Sequence, residues 1–276
     1  MKERVTLTID GELLTRVDEC VDGVKIKNRS HAVELFLMKA FSSNRPRKAV
    51  ILAGGVRDVK YPPKGPQSLL IVKKKSVLLW NIELLKNHGV KEIMLCITGE
   101  SSKIREHCGD GSSLGIKISY SMQEDALGTA GSLKAVSEFF TETTIVLNAD
   151  ELKNIDLDDM YEFHKDGSKA CTIALTTVDD PSYYGVALMN GTKIITFIEK
   201  PAKLAAPSNL INAGLYIVEP EVLNYIPDGF STIEQDVFPK LAAQEKLYGY
   251  IFSGQWFPTK NPLLLDQARQ EWNGLN

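Results

Sequence analysis

The feature that most constrains the fold is a short apolar run that ends in a glycine-rich loop. Residues 50–52 are apolar, and Gly54, Gly55 and the cation Arg57 follow them. This order is typical of a buried strand that ends in a loop. Paired glycines let backbone N–H groups approach an anion closely, and the arginine adds a positive charge. The stretch predicts a phosphate-binding loop, and a simple connection between a strand and a helix is the alternative.

Strands and helices alternate after this loop. The patterns predict a helix over residues 77–85 and strands over residues 92–97, 116–120 and 145–150. Alternation of this kind predicts a parallel sheet with ligand-binding loops at the carboxyl ends of its strands. The fold class expected for the body of the chain is therefore α/β.

Composition limits the cellular setting. The chain has 276 residues, of which 43% are hydrophobic and 24% charged, and these values suit one large domain or a large domain with a small one. The four cysteines form no Cys-x-x-Cys pair, which favours reduced thiols. No apolar run approaches the roughly 18 residues of a membrane span. We expect a cytoplasmic protein with no membrane partner.

The first forty-odd residues have a strand, helix, helix pattern. Residues 4–9 alternate between polar and apolar types, Asp10 is placed to cap a helix, and a second helix is expected from about Ser30. So short a segment cannot bury its apolar surface alone, and we therefore expect an obligate partner chain.

This segment resembles the ribbon-helix-helix DNA-binding domains, in which the strands of two chains pair into a ribbon that enters the major groove. The resemblance implies double-stranded DNA as a partner and a homodimer or a dimer of dimers. A ribbon that only dimerises the protein is the alternative. The residues that the resemblance assigns to DNA contact are Lys2, Arg4, Thr6, Thr8, Asn28, Arg29 and Ser30.

A polar stretch with a proline at Pro46 follows this segment and marks a boundary. The predicted organisation is a ribbon-helix-helix domain over residues 1–44, a linker over 45–47 and a larger domain over 48–276.

The larger domain resembles the sugar nucleotidyltransferase family. Residues 123–132 read Gln-Glu-Asp-Ala-Leu-Gly-Thr-Ala-Gly-Ser, close to the family's Gln-x-x-x-Leu-Gly-Thr-Ala-Gly-Ala, and residues 147–150 read Leu-Asn-Ala-Asp where the family has Leu-Asn-Gly-Asp. The resemblance implies a Rossmann-like nucleotide-diphospho-sugar transferase fold. It also implies binding of a nucleotide, sugar nucleotide or sugar phosphate.

The matching positions carry the family's roles residue by residue. Asp150 would hold a weakly bound Mg²⁺ and, together with Arg57, would be catalytic if the protein is active. The nucleotide-binding residues implied are Leu52, Ala53, Gly54, Gly55, Arg57, Gln123, Gly128 and Thr129. The sugar- or phosphate-binding residues implied are Gly185, Glu199, Lys200 and Asn212.

Two positions depart from the family pattern at the phosphate site. Gln67 stands where the family has a lysine, and Pro258 stands where it has a second metal-binding aspartate. The loop before Arg57 also lacks the family's Gly-Thr. Loss of one preorganised electrostatic contact commonly lowers a rate by about a hundred- to a thousandfold.

These departures favour a DNA-binding transcriptional regulator whose nucleotidyltransferase-like domain senses its ligand with little or no catalysis. An active, Mg²⁺-dependent sugar-1-phosphate nucleotidyltransferase, dimerised by its N-terminal domain, is the alternative. A DNA-bound structural protein without a ligand is a second alternative.

Overall fold

The computed structural model describes residues 5–24, 26–41, 45–54, 66–98 and 101–275, and the side chains of residues 38–41, 101 and 102 are outside that description. Among the residues singled out by sequence, Lys2, Arg4, Gly55 and Arg57 therefore lie outside the described residues. Contacts divide the chain into two compact units, Met1–Arg45 and Pro46–Asn276.

The small unit contains helix α1 (Gly11–Glu19) and helix α2 (Arg29–Phe41). Asp10 caps α1 as predicted, because its Oδ1 accepts hydrogen bonds from the backbone N–H groups of Glu12 and Leu13. The strand predicted over residues 4–9 is not formed by residues 5–9 of the single chain, and its pairing with a second chain stays a prediction. A strand needs a neighbour to accept and donate its backbone hydrogen bonds, and no described segment of this chain pairs with residues 5–9.

Two predicted DNA contacts have structural roles within this unit. Asn28 caps α2, because its Oδ1 accepts from the backbone N–H of His31 at 2.9 Å, so the helix begins before the expected Ser30. Arg29 forms a bidentate pair with Asp18, with Nε 2.7 Å from Oδ1 and Nη2 2.5 Å from Oδ2. The hydrogen bond from Arg29 lowers the pKa of Asp18. The arginine therefore joins α2 to α1.

A mixed sheet of nine strands, counted within the described ranges, forms the centre of the large unit. The strands are β1 (Lys48–Leu52), β4 (Glu92–Thr98), β5 (Lys117–Gln123), β6 (Thr144–Asn148), β8 (Cys171–Thr177), β9 (Gly185–Asn190), β10 (Lys193–Glu199), β11 (Leu210–Val218) and β12 (Leu247–Ile251). Their order in the sheet is β5-β4-β1-β6-β11-β8-β12-β10-β9, and β9 also pairs with β11. Two small ribbons add β2 (Ile71–Val72) with β3 (Lys75–Ser76), and β7 (Glu151–Lys153) with β13 (Trp256–Pro258).

Helices cover both faces of this sheet. They are α3 (Val77–Asn87), α4 (Ser101–Cys108), α5 (Gly128–Lys134), α6 (Leu157–Lys165), α7 (Phe238–Ala243) and α8 (Pro262–Glu271). Neighbouring residues of β1 point to opposite faces: Ile51 packs in the cluster that contains Leu78 of α3, whereas Val50 packs in the cluster that contains Leu133 of α5. The continuous apolar runs seen in the sequence are therefore strands buried on both faces.

The four strands β5, β4, β1 and β6 run parallel, so their carboxyl ends meet at one edge of the sheet. In register, Leu52 of β1 lies beside Asn148 of β6, and Thr98 of β4 lies beside Gln123 of β5. The predicted parallel α/β core is confirmed, and these residues lie at the edge of the sheet where ligand-binding loops are expected.

The cysteines are free, with Cys96, Cys108 and Cys171 buried and Cys20 exposed. Burial raises the pKa of Cys108 to about 11 and that of Cys96 to about 12. These thiols therefore stay protonated at neutral pH. Over the described ranges, none of the helices combines the length and the apolar character that crossing a membrane demands.

Candidate active site

The loop after β1 begins where Gly54 comes close to Thr98, the last residue of β4. Thr98 Oγ1 donates a hydrogen bond to the carbonyl oxygen of Gly54 at 3.1 Å. A Cβ on Gly54 would lie 2.9 Å from Thr98 Cγ2, too close for any larger residue without a shift of that side chain. Ala53 is held by its N–H to the carbonyl of Cys96, and Leu52 O accepts from the N–H of Ala149. The start of the expected phosphate loop is thus fixed at the ligand edge.

Gln123 ends β5 at this edge and is 8% exposed. Its Oε1 accepts a hydrogen bond from Ser132 Oγ at 2.9 Å, but its buried Nε2 has no hydrogen-bond partner among the described residues. A buried donor without a partner costs about 1–3 kcal/mol. Such a group is therefore suited to an acceptor that a ligand supplies, as expected for a contact with a nucleotide base.

Gly128 and Thr129 are engaged with a neighbouring segment. Gly128 has φ +75°, and a Cβ there would lie 2.2 Å from the carbonyl oxygen of Ser231. Thr129 Oγ1 donates to Glu234 Oε2 at 2.7 Å and accepts from the N–H of Ile233 at 2.8 Å. These contacts position the start of α5, and a direct contact of either residue with a nucleotide stays a prediction.

Asp150 and Glu151 follow the carboxyl end of β6. The N–H and Oγ1 of Thr259 both donate to the carbonyl oxygen of Asp150, at 3.0 and 2.8 Å. Burial raises the pKa of Asp150, and the positive charge of Lys260 opposes this effect. Glu151 is almost fully buried, and its Oε2 accepts from Trp256 Nε1 at 3.1 Å. Two carboxylates whose charges interact therefore follow the carboxyl end of β6.

Two lysines accompany these carboxylates. Lys153 has no exposed side-chain surface, and its Nζ lies 3.8 Å from Glu151 Oε2. Lys260 Nζ lies 3.8 Å from Glu151 Oε1, and its side chain is 46% exposed. Burial lowers the pKa of Lys153, while the Glu151 charge acts in the opposite direction. Burial also acts to lower the pKa of Lys260, but the surrounding acidic groups outweigh it and the pKa is raised.

The sequence reasoning missed Glu151, Lys153 and Lys260. The ribbon of β7 and β13 pairs Glu151 with Pro258, so a carboxylate lies across from the position where the family's aspartate is absent. The sequence did carry one signal, because Asp150 is followed directly by a second acid and then by a lysine two positions later. Lys260 has no comparable local signal, since only the fold brings it to the end of β6.

The expected sugar-side residues come together through β9. Val186 of β9 pairs with Ile211, next to Asn212, and Gly185 pairs with Glu199 across the β9–β10 hairpin. A Cβ on Gly185 would lie 2.8 Å from Glu199 Oε2, so glycine leaves space for that carboxylate. Burial raises the pKa of Glu199, and the charge of Glu234 adds to the effect.

Lys200 and Asn212 complete this side. Lys200 has φ +46°, a left-handed conformation uncommon for a non-glycine residue, and its Nζ lies 3.8 Å from Glu199 Oε1. Asn212 Nδ2 donates to Tyr216 Oη at 2.8 Å, and its Oδ1 accepts from the N–H of Gly214 at 2.9 Å. Asn212 is thus fixed by internal hydrogen bonds, with one N–H of its amide left for a ligand.

The residues present fit a magnesium ion at the strand edge. Mg²⁺ is usually held by one or two carboxylates together with substrate phosphates. Asp150, half-buried at the edge, supplies one carboxylate. A separate group, His88, Asp156 and Asp158, also has ligand atoms within 4.8 Å of one another. There Asp156 caps α6 through the backbone N–H groups of residues 158 and 159, so capping accounts for its position.

Residues 48–262 match the family model described as nucleotidyl transferase. The mannose-1-phosphate guanylyltransferase catalytic subunit beta of Danio rerio is 36% identical over 223 residues, which cover 78% of this chain and 61% of that protein. The UTP–glucose-1-phosphate uridylyltransferase of Synechocystis is 37% identical over 214 residues, which cover 70% of this chain and 55% of that protein. The chain thus spans about three fifths of the length of these relatives.

Solved structures share the fold. HddC from Yersinia pseudotuberculosis, solved in complex with GMP-PN, aligns with a TM-score of 0.70 at 22% identity and covers 82% of this chain and 100% of that one. A UDP-glucose pyrophosphorylase in complex with UDP-glucose aligns with a TM-score of 0.69 at 18% identity and covers 82% of this chain and 98% of that one. The expected nucleotide-diphospho-sugar transferase fold is confirmed.

These similarities correct the functional prediction. The relatives at 36% and 37% identity carry the names of sugar-1-phosphate nucleotidyltransferases, which favours the active alternative over a DNA-binding regulator with an impaired site. The prediction of little or no catalysis was wrong because it considered the changes at Gln67 and Pro258 without the charged residues that the fold places near them. Members of this family generally use Mg²⁺. The chain belongs to the nucleotidyl transferase family.

Proposed function

We propose that the protein transfers a nucleotidyl group to a sugar 1-phosphate. A phosphate oxygen of the sugar 1-phosphate attacks the α-phosphorus of a nucleoside triphosphate, and a new P–O bond forms. The bond between the α-phosphorus and the bridging oxygen to the β-phosphate breaks, and pyrophosphate leaves with that oxygen. The products are a nucleoside diphosphate sugar and pyrophosphate.

One observation supports this proposal above the others. The carboxyl ends of β1, β5 and β6 meet at one edge of the sheet, where Asp150 lies at the end of β6 and the unpartnered Nε2 of Gln123 lies at the end of β5. A nucleotide has a base at one end, which offers an acceptor to Gln123, and phosphates at the other end, which bind a cation held by Asp150. Catalysis of phosphoryl-type transfer consists mainly of alignment and charge stabilisation.

Each group has one task in this proposal. Gln123 donates to the base, and the backbone at Gly54 lies against the phosphates. Glu199 and Asn212 accept and donate hydrogen bonds to sugar hydroxyls. Asp150 holds Mg²⁺, which when bound neutralises phosphate charge. The relatives' names make GTP with mannose 1-phosphate and UTP with glucose 1-phosphate the first substrate pairs to try.

The test is pyrophosphate release from the purified full chain with Mg²⁺ and each of these substrate pairs. We expect turnover with at least one pair, and Asp150→Asn is expected to lower it about a hundred- to a thousandfold, the usual loss for one preorganised electrostatic contact. Glu219→Gln, at the opposite end of the sheet, serves as the matched control and should retain turnover. A wild-type protein that releases no pyrophosphate with any pairing of these four substrates would contradict the proposal.

We also propose the domain boundaries predicted from the sequence, with residues 1–44 as a dimerisation unit. Several apolar side chains of this unit are largely exposed, among them Val5 at 70%, Leu7 at 55% and Leu13 at 51%. A second copy of the chain would remove them from water. Light scattering should give a dimer or larger for the full chain and a smaller species for the Leu7→Glu, Leu13→Glu double variant.

A further inference from the structure

Lys260 is an ammonium group among acidic residues from separate parts of the chain. Its Nζ lies 3.8 Å from Glu151 Oε1, and the acidic groups that interact with its charge include Asp150 at the end of β6 and Glu199 at the end of β10. The charge of Lys260 therefore interacts both with the carboxylate proposed to hold Mg²⁺ and with a residue proposed to bind the sugar.

Hydrogen bonds hold the backbone before and after Lys260 in place. The N–H and Oγ1 of the preceding Thr259 donate to the Asp150 carbonyl. Gln67 Nε2 donates to the carbonyl oxygen of Lys260 itself at 3.3 Å. The following Asn261 caps α8, with Oδ1 accepting from the N–H of Leu264 at 3.0 Å. The main chain is therefore preorganised, and the side chain places its Nζ 3.8 Å from Glu151 Oε1.

The ammonium group of Lys260 has no acceptor at hydrogen-bond distance among the described residues. Glu151 already has the fully buried ammonium of Lys153 at 3.8 Å and a hydrogen bond from Trp256 Nε1. The 3.8 Å separation between Lys260 Nζ and Glu151 Oε1 exceeds hydrogen-bond distance, and Nζ donates to no acceptor in the described parts of the chain. Within the described residues, the three N–H donors of Lys260 Nζ therefore have no acceptor, and the side chain is 46% exposed.

We propose that Lys260 binds the phosphate of the sugar 1-phosphate and holds it for attack on the nucleotide, an inference that rests on the proposed function. Carboxylates and amides suit sugar hydroxyls, but a phosphate dianion requires cations. Lys200 Nζ lies 3.8 Å from Glu199 Oε1, so a second cation is present near the carboxylate with which Lys260 interacts. Lys260 and Lys200 together supply the positive charge for the phosphate, and Glu151 is a positioning residue that keeps Lys260 at the edge of β6.

The test compares the Michaelis constants of the two substrates in Lys260→Gln, Lys260→Arg and the wild type, using the pair that the wild type turns over. A lost hydrogen bond to a charged group corresponds to about a ten- to a hundredfold change, so Lys260→Gln should raise the Michaelis constant of the sugar 1-phosphate by that factor. The constant of the nucleoside triphosphate should change less than about threefold, since the lost contact is made with the other substrate. Lys260→Arg keeps the charge and should retain most of the affinity.

Calorimetry supplies a readout that does not depend on turnover. The wild type should bind the sugar 1-phosphate more tightly than the free sugar, and Lys260→Gln should lose most of that difference. Lys246→Gln, a lysine paired with Glu221 away from this edge, is the matched control and should behave like the wild type. Thermal unfolding checks that each variant is folded.

The two proposals fail in different ways. A wild-type protein without turnover would overturn the proposed function. Wild-type turnover together with an unchanged sugar 1-phosphate constant in a folded Lys260→Gln variant would overturn the role of Lys260 alone. A rise confined to the nucleoside triphosphate constant would also overturn it, since Lys260 would then serve the other substrate.

Discussion

Polar clusters lie at both ends of β6, and they differ in how completely their hydrogen bonds are satisfied. At the amino end, Glu219 Oε1 accepts from Thr143 Oγ1 at 2.7 Å and lies 3.1 Å from His164 Nε2. The other ring nitrogen of His164 lies 2.8 Å from Thr172 Oγ1. Because an ionised carboxylate only accepts hydrogen bonds, His164 donates from Nε2 to Glu219. Every member of this cluster has a partner at hydrogen-bond distance.

At the carboxyl end, the charged groups face one another at longer distances. Both lysine ammonium groups lie 3.8 Å from Glu151, beyond hydrogen-bond distance. Burial raises the pKa of Asp150, whereas hydrogen bonds lower the pKa of Glu219. Lys153 Nζ also donates to the carbonyl oxygens of Asn148 and Gly214, at 3.4 and 3.3 Å, whereas Lys260 Nζ donates to no acceptor among the described residues. The amino end is thus a hydrogen-bonded part of the core, and the carboxyl end, the proposed binding site, keeps the ammonium group of Lys260 for a ligand.

The largest effect on this comparison is expected from Lys153→Met. Removing a fully buried ammonium leaves Glu151 buried beside an apolar side chain, and breaking such a pair typically costs about 3–5 kcal/mol of the free energy of unfolding. Chemical denaturation measures this loss. Replacing both residues, in Lys153→Met with Glu151→Leu, should recover much of it because no buried charge is left behind.

Lys165→Met is the control for this experiment, since Lys165 forms an exposed pair with Glu162. It should change the free energy of unfolding little. Equal losses for Lys153→Met and Lys165→Met would show that the carboxyl-end cluster carries no buried ion pair.

A smaller effect is expected from Gly214→Ala, which crowds the carboxyl-end cluster. A Cβ at Gly214, where φ is +61°, would lie 2.5 Å from Glu151 Oε2 and 2.6 Å from Asn148 Nδ2. Left-handed strain of about 1–2 kcal/mol and overpacking of about 1–3 kcal/mol both lower the free energy of unfolding. Turnover should fall as well, because Glu151 must move.

Gly191→Ala separates these two causes. Gly191 has φ +59°, but a Cβ there would meet no atom within 4 Å, so this variant carries the backbone strain without the crowding. If both alanine variants lost the same free energy of unfolding and kept full turnover, the packing of Gly214 against Glu151 would have no consequence for the site.

The smallest effect is expected from Glu219→Gln in the amino-end cluster, which changes how the melting temperature depends on acidic pH. The hydrogen bond from His164 and that from Thr143 lower the pKa of Glu219 below its ordinary value of 4.5. A lowered folded-state pKa contributes stability above the unfolded-state value, and this contribution is lost as the pH falls through the folded-state value. Glu219→Gln should therefore flatten the fall in melting temperature below about pH 4.5 and leave turnover unchanged.

Glu138→Gln, at an exposed position, controls for the loss of one negative charge. A steep loss of turnover in Glu219→Gln would contradict the division of the sheet into a structural end and a binding end.

The sequence anticipated those parts of the fold that depend on local patterns. Residues 50–52 are strand because they are a short apolar run before glycines, and Asp10 caps a helix because a carboxylate at that position accepts from free backbone N–H groups. Asp150 was predicted as the last residue of a buried strand, and it lies two residues after the end of β6. Residues 5–9 form no strand in the single chain, because strand formation there depends on a pairing partner that the local pattern does not provide.

The amino-acid sequence by itself determined the order of strands and helices, the family and the position of Asp150, because these follow from periodicity and motifs along the chain. Only the tertiary structure decided which charges meet at the ligand edge. Gln67 and Pro258 suggested lost function when taken one position at a time, whereas the β7–β13 ribbon sets Glu151 across from Pro258 and brings Lys260 to the end of β6. Electrostatic interactions depend on distance in space, and the chain brings these residues together only when it folds.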